Sequence, residues 1–481
     1  MTKPKWLPYA FLILALAIGA LARFWRLTDN SLFIDEAYSV FAGSLPLSKL
    51  FDFLAHNDAH PPLFYLYAHA AIATLHWQPW SYRFLTAPFG LITIVATWGI
   101  ARRVFGDTAA AFAALFVAIS PDLIDWDRMF RMYSMLIALS TLSWWLLLLA
   151  QDARGKALAW LWAAYCVCAA LLPSVQYLGG VVVLSQVLYA LPRARQAWPV
   201  FAGAGLALLA LAPWLGALRT QYAFGGHVIS GAGRSFYWLG QARGTLFQGV
   251  PVAWFAGTTA TDWAMTVFAL GCLVAGCWIG RKSIVPYWLS PIAIQAAAAF
   301  ALSKDLVIPR YLLAMIPAFD VCLGAIVALL LGTRWRIAGI ALVSAFATLS
   351  IIAALDNLLD PFYQRTDWYA VDIVLLRSEK PSDAIMIDQG FAVTVLGGLN
   401  AFQGHDVMPV IDQASVVEAI RWIDARPRQR IWYVENQYYY PDPKRAVYEH
   451  LRATRPQRGG YVEQRADDAD RAFVSLFDVK R

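Results

Sequence analysis

Two acidic side chains stand side by side in Ser31-Leu-Phe-Ile-Asp35-Glu36-Ala-Tyr38, just after a long apolar run. Adjacent carboxylates at a membrane surface are costly unless solvated or paired. Asp35 there can act as a general base that takes a proton from an acceptor hydroxyl or amine. The same pair can also be the acidic cap of an amphipathic helix starting near Ala37. His60-Pro61-Pro62 follows. The prolines make a rigid extended turn, but they do not account for His60, a candidate substrate or metal contact. In Asp125-Trp-Asp127-Arg128-Met-Phe-Arg131-Met-Tyr133, the two arginines are three residues apart and share a face if the next helix begins early. Two guanidiniums at a lipid boundary suit a phosphate; an Asp–Arg cluster capping a helix accounts for them equally. In Lys304-Asp305-Leu-Val-Ile-Pro309-Arg310-Tyr311, Arg310 offers another phosphate contact or an interfacial anchor beside the belt residue Tyr311. A glycine-rich stretch, Phe224-Gly225-Gly226-His227 with Gly231-Ala-Gly233, reads as a lid or as a plain surface loop.

These residues need a membrane scaffold. The 481-residue chain is 59% hydrophobic and 15% charged, against about 45–50% and about 25% in soluble proteins. Its net charge of +7 is explained by orientation in a membrane, without a nucleic-acid partner. All five cysteines (Cys166, Cys168, Cys272, Cys277, Cys322) fall in apolar stretches and read as packing residues. Apolar runs at 7–27, 84–101, 108–124, 132–150, 157–172, 174–191, 198–218, 263–280, 284–302, 311–331 and 337–355 predict about 11 transmembrane helices. The run 7–27 is long enough to be an uncleaved first span. Basic pairs at Lys3/Lys5, Arg102/Arg103, Arg154/Lys156, Arg193/Arg195, Arg281/Lys282 and Arg334/Arg336 all fall on one side if Pro61–His76 does not cross. That side is the cytoplasm, so 61–76 reads as re-entrant or interfacial. The N-terminus is then inside, and the loop 28–83, the Asp125–Arg131 turn, the 219–262 and 303–310 loops and the C-terminus are outside. The span centres are almost free of charge, Asp320 excepted. The tail, 356–481, is charged, with strand-like runs at Ala384–Ile387, Ile431–Val434 and Phe473–Phe477 and helical patterns near Ser415–Asp424 and Lys444–Ala453. It predicts a small soluble α/β domain behind a 1–355 membrane domain.

With these motifs the chain resembles the GT-C superfamily of membrane glycosyltransferases, above all bacterial relatives of the protein O-mannosyltransferases and of the lipid A aminoarabinose transferase. The resemblance rests on Asp35-Glu36, His60-Pro61-Pro62-Leu63, Arg131-Met-Tyr133 after Ser120-Pro121, and Arg310-Tyr311 before a proline-containing span, with Thr366-Asp367-Trp368 opening the tail. It implies a polyprenyl (undecaprenyl) phosphate sugar donor and an inverting transfer at the periplasmic face of a bacterial inner membrane. The acceptor would be a lipid, glycan or protein. Asp35 would be the base and Glu36 would orient the acceptor or bind the sugar. Arg131 and Arg310, with Arg128 and Tyr311, would hold the donor phosphate. His60, Asp127, Tyr133 and Lys304 would contact substrate. The chain departs from the pattern at Arg128-Met-Phe, where many relatives carry small or acidic residues, so the phosphate ligands stay open. No cofactor is required; a divalent metal stays open, with His60 and His227 as its candidates. A lipid-linked sugar transporter or flippase would share the basic outer sites, but it would not need the acidic pair and would usually show repeats or charged mid-membrane helices. An envelope glycan polymerase or ligase would share the donor and lack the pairing of Asp35-Glu36 with His60-Pro61-Pro62. A non-catalytic envelope scaffold is the remaining reading.

Overall fold

The computed structural model describes residues 6–225, 259–302, 309–359, 368–378, 380–388, 404–411, 413–436, 442, 444–462 and 472–480. The chain divides into two compact units. The first holds Met1–Trp25, Phe51–Phe64 and Phe84–Leu355; the second holds Arg26–Leu50, Tyr65–Arg83 and Asp356–Arg481.

The first unit is a helical bundle. Its opening helices are α1 (Leu7–Phe24), α5 (Ala87–Phe105), α6 (Asp107–Ile119), α7 (Pro121–Asp127) and α8 (Tyr133–Asp152). Between α1 and α5 in the chain come α2 (Ile34–Ser44), wholly in the second unit, and α3 (Leu47–Asn57) and α4 (Leu63–Leu75), each divided between the two. Helices then follow at Gly155–Val175, Gly179–Ala190, Trp198–Leu211, Leu215–Gly225, Thr259–Ile279, Val285–Leu302, Ile316–Leu331 and Arg336–Leu359. Each predicted apolar run therefore contains a helix, with breaks at Ser120 in the 108–124 run and at 176–178 in the 174–191 run. Among the described residues, seven helices are long and apolar enough to cross a membrane, or eight if α6 and α7 count as one bent span. The run at 174–191 forms a helix of only 12 residues, about 18 Å long, against a hydrocarbon core of about 30 Å. α4 has 13 residues, about 20 Å, also too short to cross unaided.

Local chemistry sets these boundaries. Gly106, at φ +91°, ends α5 and starts α6 in one residue, a conformation that L side chains rarely adopt. Pro121 cannot donate an amide hydrogen, so α6 stops at Ile119. Ser120 turns extended, its hydroxyl accepts from Leu123 N, and α7 departs at 56°. Small residues let helices approach closely: a side chain at Gly324 would run into Ala109 and Ala113 of α6. Beside this contact Phe116, Ile119, Cys272, Phe319, Leu323, Val327 and Phe346 form a buried cluster.

In the second unit the tail carries a five-stranded sheet of β1 (Ala384–Asp388), β2 (Asp406–Val410), β3 (Ile431–Asn436), β4 (Gln457–Val462) and β5 (Ala472–Phe477), ordered β2-β1-β3-β5-β4. β1 pairs parallel with β2 and β3; β5 pairs antiparallel with β3 and β4. β1 is buried along its whole length, as a central strand must be. Helices Gln413–Asp424 and Ala446–Thr454 supply Ala419, Ile423, Val447 and Leu451 to a core shared with Met386, Ile431, Tyr433 and Phe477. The helix Trp368–Ser378 joins the tail to the first loop: Trp368 is fully buried, and its backbone N–H donates to Ser31 Oγ at 2.9 Å.

Candidate active site

In the second unit, the acidic pair opens α2. Phe33 is the extended N-cap, and its backbone N–H donates to Glu36 Oε2 at 2.9 Å. Both carboxylates thus lie in the first turn, at the positive end of the helix dipole. Their environments differ sharply. Glu36 is fully buried and is gripped by Arg83, which comes from the 3₁₀ turn Pro79–Leu85. Arg83 Nε donates to Glu36 Oε1 at 2.8 Å and Nη2 to Oε2 at 2.6 Å. The remaining N–H groups donate to Leu27 O at 3.2 Å, Asn30 O at 2.9 Å and Ser31 O at 2.8 Å. All five guanidinium hydrogens thus tie the loop 27–36 into one piece. Asp35 stays half-buried on the next position of the turn. Both Glu36 oxygens accept hydrogen bonds inside the protein, and Glu36 anchors the turn that carries Asp35.

In the first unit, the Asp125–Tyr133 stretch does not form one helix face. α7 ends at Asp127, residues 128–132 turn, and α8 begins at Tyr133. The proposed sharing of a face by Arg128 and Arg131 fails for that reason. Arg128 Nη1 instead donates to the carbonyls of Ala22, Arg23 and Trp25 at 3.1, 3.1 and 2.8 Å, closing the C-terminal end of α1. Asp127, read as a substrate contact, is buried against Arg23, whose Nε donates to Asp127 Oδ2 at 2.7 Å. Arg131 is 4% exposed on the turn, and Tyr133 packs edge-on against Trp126 at 4.5 Å. Phe130 meets Phe64 at 5.4 Å.

His60 is held from two sides. Its Nδ1 lies 2.7 Å from Asp58 Oδ1, which fixes the ring and leaves Nε2 as its other functional edge. Gln221 Nε2 donates to the carbonyls of Leu54 and His60 at 2.8 and 3.0 Å, while its Oε1 accepts from Tyr177 at 2.5 Å. Arg310 is exposed at the start of a short helical turn, with its guanidinium 5.8 Å from the Tyr311 ring. Lys304, His227 and the glycine-rich stretch from Gly226 onward lie outside the described residues. Among the described residues there is no group of three or more His, Cys, Asp or Glu side chains placed to hold a metal. Arg23, Arg83, Asp58 and Gln221 were not foreseen. Only Arg23 carried a usable signal, as a cation inside an apolar run.

Residues 59–216 match the family model described as dolichyl-phosphate-mannose-protein mannosyltransferase. The matched segment contains His60, Asp127 and Arg131. The fold is similar to that of ArnT from Cupriavidus metallidurans in the apo state, with a TM-score of 0.57 at 15% identity over 97% of this chain and 98% of that one. ArnT bound to undecaprenyl phosphate gives 0.54 with the same identity and coverage. The oligosaccharyltransferase AglB from Archaeoglobus fulgidus gives 0.52 at 12% identity, over 95% of this chain and 73% of that one. No curated protein matches in sequence. The family model matches part of the chain, the fold is similar to that of ArnT and AglB over nearly all of it, and the apolar helices are those of a multi-pass membrane protein.

Proposed function

We propose that this chain is an inverting glycosyltransferase that moves a sugar from undecaprenyl phosphate to an envelope lipid, glycan or protein at the periplasmic face of a bacterial inner membrane, with Asp35 as general base. The observation that carries the reading is the contrast within the acidic pair. Arg83 binds both oxygens of the fully buried Glu36, while Asp35, beside it in the first turn of α2, is half-buried, and this contrast supports Asp35 as the base.

In the proposed reaction the Asp35 carboxylate takes the proton of the acceptor O–H or N–H. The freed lone pair attacks the anomeric carbon, and the bond from that carbon to the carrier phosphate breaks. Negative charge collects on the departing phosphate while the sugar passes through an oxocarbenium-like state. Arg131 and Arg310 neutralise that phosphate, with Tyr311 beside it. Arg128 acts at one remove, through the end of α1. His60 and Tyr133 line the substrate side, Lys304 contacts the donor, and no metal is required. Should a divalent ion take part, His60 and His227 are its candidate ligands.

Orientation is part of the proposal. The basic pairs face the cytoplasm with the N-terminus, and 356–481 is the periplasmic domain. The short α4 supports this reading, because a re-entrant segment preserves the charge bias. Along the chain, Asp35 follows the same end of α1 that Arg128 closes. The test is Asp35→Asn in membranes supplied with radiolabelled undecaprenyl-phosphate sugar. Transfer should disappear at unchanged expression, and retention of transfer would eliminate the mechanism.

A further inference from the structure

One guanidinium holds the break between α6 and α7. Pro121 has no N–H, so the carbonyl four residues earlier, on Val117, loses its helical donor. The extended Ser120 carries the next amides away from Ala118 O as well. Arg23, inside the first apolar run and fully buried, supplies the missing donors. Its Nη2 donates to Val117 O at 3.2 Å and its Nη1 to Ala118 O at 3.1 Å and Gly19 O at 3.3 Å. Its Nε reaches Asp127 at the far end of α7. The same side chain therefore binds the last turn of α6 and the last residue of α7, setting the distance between them. Arg128 closes the link from the other direction, onto the carbonyls at the end of α1. Space for the pair comes from Gly90 on α5, where a side chain would overlap both Arg23 Nε and Asp127 Oδ2.

An arginine buried among helices without a solvated edge is costly, and this one is spent on geometry. α7 leads directly into the turn 128–132 that carries Arg131. We propose that Arg23 is a positioning residue for the lipid-phosphate donor, fixing the α6–α7 bend and with it the presentation of Arg131. This rests on the reading of Arg131 as a donor-phosphate ligand. Lysine cannot replace the fork, because its compact ammonium cannot reach the two α6 carbonyls and Asp127 together.

The experiment measures binding of undecaprenyl phosphate to the full-length protein in nanodiscs, with steady-state transfer and thermal unfolding on the same samples. The variants are Arg23→Lys and the neutral double variant Arg23→Gln with Asp127→Asn, which leaves no unpaired buried charge if the single variant does not fold. The expected result is a Kd for undecaprenyl phosphate raised about tenfold to hundredfold. KM for the donor should rise more than kcat falls, in protein that still unfolds cooperatively. A lowered unfolding temperature with Kd within about twofold of wild type would make Arg23 merely structural and overturn the inference. If wild-type protein binds no undecaprenyl phosphate, the donor reading fails instead, and the inference falls with it.

Discussion

Arg83 and Glu36, 47 residues apart in the chain, form a bidentate pair with side chains 8% and 1% exposed. The pair divides the labour of two neighbouring acids. Glu36 is neutralised and fixed, and its fixed position holds the first turn of α2 rigid beneath Asp35. Replacing Arg83 by Met should leave Glu36 as an uncompensated buried charge and destabilise the protein by about 3–5 kcal/mol. Glu36→Gln keeps part of the hydrogen bonding and should cost less, about 1–3 kcal/mol. Thermal unfolding of the two variants checks the order; the reverse order would contradict a buried ion pair.

Asp35→Asn should lower transfer by roughly 10²- to 10⁴-fold, the usual yield of general-base catalysis, with unfolding temperature unchanged because Asp35 is only half-buried. Asp35→Glu should recover part of the rate. Radiolabel transfer and unfolding on the same preparations separate chemistry from folding.

Gly90→Ala should destabilise the membrane unit by about 1–3 kcal/mol, because the methyl group would enter the Arg23–Asp127 pair. Gly205→Ala meets nothing within 4 Å and should be neutral or stabilising by up to about 1 kcal/mol. Equal effects at both positions would show that the space beside Arg23 is not tightly filled.

In the tail, burial alone would raise Asp383, but hydrogen bonds from Arg430, Lys380 N and Trp432 Nε1 outweigh it and hold the carboxyl below its ordinary value. A depressed carboxyl adds stability above its unfolded pKa and loses it as pH falls through the folded one. Asp383→Asn should therefore weaken the sheet at pH 7, and the difference should shrink below about pH 4. Glu435 runs the other way: burial pushes it up, and Arg445 only partly offsets this. A raised carboxyl gives its full stability below the unfolded pKa and loses it as pH rises through the folded one. Glu435→Gln should thus become less destabilising as pH rises. Hydrogen exchange of peptides covering β1 and β3, followed across pH in the full-length protein, reads both trends.

Much of the fold was legible because its signals are local. Each apolar run contains a helix, and all three strand-like runs of the tail became strands, since periodicity and β-branched content are properties of a few neighbouring residues. β2 and β4 were missed. β2 contains Pro409, and β4 opens Gln-Arg-Gly-Gly with most of its residues exposed, so neither shows the alternation of a half-buried strand. The span count was less secure. Pro173, Gln176 and the Gly179–Gly180 pair break the 157–191 region into a long helix and a short one, which hydropathy alone does not resolve.

The sequence by itself determined the class of scaffold and the residue types available for phosphate and proton chemistry. Apolar length, basic-pair placement and the acidic pair are all written in contiguous residues. Only the tertiary structure decided which acid is buried in an ion pair, which arginine binds carbonyls and which side chain spans the bend before Arg131. Those outcomes depend on partners 47 and 104 residues away. Whether a charge is solvated, paired or buried is a property of what surrounds it in space, and no local pattern encodes that.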